Sequence, residues 1–129
     1  ALMIVDFITR NIKGLIHVLD SNAESEEQVM EMAALALANI SAGNELKLTE
    51  YTENTIKFED FYYHDHFLRE PELTMLMKSL SEKGNSRVAK HILTIATNLS
   101  TNPANITKLT QKGLFDILLQ LLLREVTSL

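Results

Sequence analysis

The stretch SEEQVMEMAALALANISAGN, Ser25 to Asn44, decides the fold. Val29, Met32, Ala33, Ala36, Leu37 and Ile40 recur at the spacing of one face of an α-helix. Glu26, Glu27 and Glu31 fall on the polar side, near the helix end where the macrodipole favours negative charge. The spacing predicts a helix over 25–41, opened by Asn22 or Ser25 and closed by Gly43 in a left-handed cap.

The pattern returns in SRVAKHILTIATNLSTNP, Ser86 to Pro103, where Val88, His91, Ile92, Ile95, Ala96 and Leu99 keep the same register. Asn39-Ile40-Ser41 becomes Asn98-Leu99-Ser100, so the two helices are copies 59 positions apart. KGLIHVL at 13–19 likewise resembles KGLFDILLQLL at 112–122, and LKLTE at 46–50 resembles ITKLTQ at 106–111. The chain therefore reads as an internal repeat of a short first helix, a second helix rich in Leu and Ile, and a longer third helix. Second helices are predicted over 14–19, 71–80 and 113–124, and third helices over 25–41 and 85–100. Units this small bury enough apolar surface only by stacking on their neighbours.

Composition agrees with helix. The 129 residues are one domain's length, 46% are apolar, and there are only four glycines and two prolines. The absence of cysteine excludes a disulfide framework, a thiolate metal site and a cysteine nucleophile, and fits an intracellular, cytoplasmic or nuclear setting. No apolar run reaches the roughly 20 residues of a membrane span, and no signal peptide is readable. Residues 1–72 hold 14 acids and 5 bases, whereas residues 73–129 hold 3 acids and 7 bases. That distribution is no nucleic-acid footprint, so neither nucleic acid nor membrane is the expected partner.

These residues resemble the armadillo repeat, a three-helix unit stacked into a right-handed superhelix. Gly14 to Glu53 looks like one repeat and Pro71 to Gly113 like another, with the Ala-Asn-Ile-Ser type of ending as the most specific feature. The resemblance implies an all-α fold, a right-handed α-solenoid of armadillo-like three-helix repeats. It holds about two full repeats plus partial ones within a single domain, 1–129, of a longer protein; HEAT-like repeats are the neighbouring alternative. It also implies a non-enzymatic protein-interaction module, a scaffold or adaptor that holds another protein or a peptide segment in the groove lined by third helices. Asn39 and Asn98 match the family's groove asparagines, whose amides pair with an extended ligand backbone. The positions where importin-like members carry tryptophan are Leu35 and Thr94, which argues against a basic nuclear-import cargo. Arg87 and Lys90 open the second third helix with positive charge where the first carries acids, a gradient able to orient a partner.

Armadillo units repeat every 40–47 residues or so, so roughly a dozen and a half have been inserted here, over 53–70. That segment contains FYYHDHFLREPE, Phe61 to Glu72, and six of the chain's eight aromatic residues lie between Tyr51 and Phe67. Most of these rings are expected to pack back onto the solenoid, with Phe61, Tyr62 and Tyr63 the candidates to meet a partner. His64 and His66 form a His-X-His pair near Glu59, Asp60 and Asp65, but no third ligand has metal-site spacing. A solvated loop anchored by aromatics is predicted instead, with no metal and no cofactor. Catalytic motifs are lacking. The chain opens in apolar sequence and approaches its end in LFDILLQLLLREVTSL, whose leucines cover more than one helical face. That run predicts the alternative role, a structural subunit forming a homo-oligomer or complex through apolar terminal helices.

Overall fold

The computed structural model describes residues 2–20, 26–42, 62–84 and 86–127, with side chains of 2–9 and 62 outside the description. All described secondary structure is helical. The helices are α1 (Leu2–Val18), α2 (Glu27–Ser41), α3 (Tyr62–Phe67), α4 (Glu70–Lys83), α5 (Arg87–Leu99), α6 (Pro103–Gln111) and α7 (Leu114–Thr127).

Helices α1, α4 and α7 lie side by side, α1 touching α4 and α4 touching α7. Helix α2 rests on α1 and α5 on α4, and α2 and α5 form the most extensive helix pair in the molecule. Their direction follows from the polar contacts between them. At their starts Arg87 pairs with Glu31 at 3.6 Å, and Lys83, just ahead of α5, with Glu27 at 3.3 Å. At their ends the Asn98 amide donates to the Ala38 carbonyl and the Ser41 hydroxyl. Starts meet starts and ends meet ends, so the two helices run parallel, in the register of the sequence repeat.

Local chemistry sets most boundaries. Ser86 caps α5 by accepting from the Ala89 N–H, and the Asn102 side chain accepts from the Ala104 N–H just before Pro103 begins α6. Gly84 and Gly113, at φ of 59° and 88°, turn the chain after α4 and α6 in a conformation other residues resist. Helix α2 begins without a side-chain cap, at Glu26, and ends at Ala42 with φ of −77°, outside the left-handed region. Asn22, Ser25 and Gly43, the expected start and stop signals, lie outside the described residues.

Two sequence expectations are corrected here. The predicted second helix at 14–19 is the end of a longer helix, because α1 continues through Gly14. One glycine costs a helix only about 1 kcal/mol, and the buried Ile12, Ile16 and Leu19 anchor this end. A Cβ at Gly14 would meet nothing within 4 Å. Gly14→Ala is therefore expected to raise the unfolding free energy by about 0.5–1 kcal/mol, checked by urea denaturation.

The core face of α2 is also rotated from the predicted stripe. Met30, Ala33, Ala34, Leu37 and Ala38 are buried, whereas Val29 and Met32 are exposed. In α5 the predicted stripe is the observed one, with Val88, Ile92, Ile95, Ala96 and Leu99 all buried. The small side chains of Ala34 and Ala38 let α5 approach α2 closely, since interaxial distance follows residue size at the contact.

Candidate functional site

Because α2 and α5 are parallel and in register, equivalent positions repeat across one shared face. Leu35 and Asn39 of α2 and Arg87 and Thr94 of α5 are exposed on it, and Asn98 is half-buried there. Both hydrogens of the Asn98 amide are engaged, one on Ala38 at 3.2 Å and one on the Ser41 hydroxyl at 3.0 Å. The Ser41 hydroxyl in turn donates to the same Ala38 carbonyl at 2.8 Å. Asn98 is thus a strut between the two helices, with only its carbonyl oxygen left for a ligand backbone. Lys90 is exposed on the far side of α5, beside α7 rather than α2.

The described end of the expected aromatic loop, Tyr62–Phe67, is a helix rather than a loop, and its described side chains are largely buried. Helix α3 touches α1, α2 and α4, and Tyr63, His64, His66, Phe67 and Leu68 are all buried, with Asp65 exposed. Tyr63, proposed from sequence to meet a partner, is a core residue at 1% exposure, because residues 63, 66 and 67 fall on one helical side facing three other helices. Phe61, with Glu59 and Asp60, lies outside the described residues, as does the Tyr62 side chain. His66 is pulled below the ordinary imidazole range by burial and the nearby Arg69, against the opposing pull of Asp65 and Glu72. Among the described residues no three His, Asp or Glu side chains are placed to hold a metal ion.

His64 bridges elements. Its Nε2 lies 3.3 Å from the Ser41 carbonyl at the end of α2, and its Nδ1 lies 3.3 Å from Nδ2 of Asn105 on α6. A carbonyl only accepts and an amide nitrogen only donates, so the ring is neutral, protonated at Nε2. Burial pushes its pKa below the ordinary imidazole value, partly offset by the Ser41 bond and by Asp65. Asn105 also donates to the Leu99 carbonyl at 2.9 Å, tying the α5–α6 turn into the same network. The sequence shows His64 only as half of a His-X-His pair without a third ligand, and nothing in it signals the pairing with Asn105.

Among the described residues, helix α7 carries the largest bare apolar surface. Phe115, Leu119, Leu122, Leu123 and Val126 are each more than half exposed, while Leu114 and Leu121 are buried. Helices α5 and α7 both rest on α4 and leave a groove of about 610 Å³ between them, lined by Lys90, Leu93, Leu118, Leu121, Leu122 and Glu125 over Gly84. No helix among the described residues is long and apolar enough to cross a membrane.

Comparison with protein-family models, curated proteins and solved structures finds no match for this chain.

Proposed function

We propose that this chain is an armadillo-like α-solenoid segment acting as a non-catalytic protein-interaction module, which holds an extended partner segment across the exposed α2/α5 face. The parallel, in-register packing of two repeated helices carries the reading. Neighbouring helix axes lie about 8–10 Å apart and an extended peptide advances about 3.3 Å per residue, so equivalent side chains on α2 and α5 meet about every third peptide residue. Asn39 supplies an amide, Asn98 a carbonyl oxygen, and Leu35 and Thr94 the apolar and hydroxyl surface between them. The Arg87–Glu31 pair at the edge of this face adds orientation rather than much affinity, because exposed ion pairs contribute little.

The two asparagines are unequal as probes. Asn98→Ala removes the strut as well as any ligand contact, so lost binding would be ambiguous. Asn39→Ala is the cleaner change, because Asn39 is exposed whereas Asn98 is half-buried between the two helices. Peptides selected from a random library against the intact chain should bind Asn39→Ala about tenfold more weakly, about 1.4 kcal/mol, with helicity unchanged. Equal affinity of every selected peptide for the two proteins would remove the α2/α5 face as the binding site.

A second reading rests on a separate observation, the bare apolar stripe of α7, which suits a structural subunit that assembles through this helix.

A further inference from the structure

The 59-residue repeat makes each side of α2 comparable with the same side of α5, and burial differs between them in a directed way. Arg87 and Asn98 mark the side of α5 that meets α2, and helical spacing puts Val88, His91 and Ile95 along that side, whose equivalents on α2 are Val29, Met32 and Ala36. Val88 is 0% exposed and Ile95 1%, whereas Val29 is 47% exposed and Met32 66%. This side of α2 has the composition of an interface and lacks a helix against it among the described residues.

The opposite side shows the reverse. The side of α2 that meets α5 carries Glu31, Ala34 and Ala38, with the two alanines buried. Their equivalents on α5 are Lys90, Leu93 and Thr97, which are exposed or half-buried. Lys90 and Leu93 form one wall of the α5/α7 groove, and Leu118, Leu121 and Leu122 form the other. The groove lies where α2 and α4 hold α5, one repeat further along.

We propose that a second copy of this chain fills that groove head to tail, its α2 side bearing Val29 and Met32 packing against α5 and α7 as α5 packs against α2 and α4. The two bare surfaces are images of the two halves of one interface already present in the molecule, with Leu93 in the groove wall where that interface has Ala34, so they match in arrangement. They are also complementary in charge, since the half of the chain containing α2 is strongly acidic and the half containing α5 and α7 is basic. Lys90, standing where Glu31 stands in α2, brings positive charge to the acidic end of the incoming copy. Such a contact is heterologous, so each added copy leaves one free face at either end of the stack. It uses the sides of α2 and α5, not the exposed front, and so stands independently of peptide binding.

Sedimentation velocity on the intact chain tests this. The mean mass should rise with concentration past the dimer of a 14.6 kDa chain, and added salt should weaken the association. Val29→Glu with Met32→Glu disables only the α2 surface, and Leu122→Glu only the groove; all three positions are exposed, so folding is preserved and is verified by helicity. Each variant alone should be monomeric, and an equimolar mixture should yield a dimer and nothing larger, because one intact face of each kind remains. A monomeric parent chain at millimolar concentration would overturn the proposal. So would association abolished by Leu122→Glu yet unaffected by the α2 changes, the signature of two α7 stripes meeting symmetrically.

Discussion

Phe67→Ala is expected to lower the unfolding free energy by about 3–5 kcal/mol, the cost of deleting a buried phenylalanine ring and leaving its cavity. Phe67 is completely buried and lies on α3, which touches α1, α2 and α4 together. Those three helices belong to both layers, so the ring's cavity would open where the layers join. Domains of this kind are stable by about 5–15 kcal/mol, so the change consumes a large share of the total. Asp65→Ala, two residues earlier and exposed, is the control and should change stability by less than about 0.5 kcal/mol. Urea denaturation followed by circular dichroism reads both. A loss below about 1 kcal/mol for Phe67→Ala would mean that α3 is an appendage and not part of the core.

That experiment bears on function as well as stability. If α3 is integral, Tyr63 and Phe67 cannot serve as anchors for a partner without local unfolding, which leaves the proposed α2/α5 face and α5/α7 groove as the surfaces to test. Glu72, buried in the first turn of α4, lies close enough to His66 of α3 to act on its charge, which joins the two helices electrostatically.

What the sequence revealed and concealed divides along physical lines. The helices α2, α4, α5 and α7 were legible because apolar residues at helical spacing report burial directly, and the 59-residue echo of Asn39-Ile40-Ser41 in Asn98-Leu99-Ser100 marked α2 and α5 as equivalent. The exposure of Val29 and Met32 was not legible, because a periodic pattern shows that a face is apolar without showing which neighbour covers it. Gly14 misled for the opposite reason: a turn-forming residue was read as punctuation where packing by Ile12 and Ile16 carries the helix through. Helix α3 escaped because two histidines occupy its inner side, and a polar residue there makes the pattern look irregular unless its hydrogen-bond partners, Ser41 and Asn105, are known. Those partners lie 23 and 41 positions away, a separation that no local spacing rule reaches. Asn98 was legible in position, whereas its bonds to Ala38 and Ser41 were not, since they depend on how closely the two helices approach.

The unfolding free energy should fall as pH drops below about 6.5, and His64 should account for part of that fall. Its folded-state pKa lies below the ordinary imidazole value, chiefly because burial penalises the charged ring. Above about pH 6.5 the ring is neutral whether the chain is folded or unfolded, and the pair of bonds to Ser41 and Asn105 is intact. As pH falls through that value the unfolded chain binds a proton that the folded chain does not, so stability declines until the folded-state pKa is passed. The limiting slope is about 1.4 kcal/mol per pH unit for one such group, and His66, shifted in the same direction, adds to it. Protonation of folded His64 would turn Nδ1 into a donor facing the Asn105 amide nitrogen. Rotating that amide would only set its oxygen against the Leu99 carbonyl it now serves. His64→Gln keeps one donor and one acceptor without titrating, so its stability should vary less between pH 7 and 5.5 than that of the parent chain. Asn105→Leu, which keeps the same branched arrangement of side-chain heavy atoms, removes both bonds and should cost about 2–3 kcal/mol at pH 7. If His64→Gln leaves the pH dependence unchanged, His66 carries it alone and the His64 bridge is intact in both protonation states. If Asn105→Leu is neutral at pH 7, the bonds to His64 and Leu99 contribute no stability, and the joint between α2, α3 and α6 rests on apolar packing.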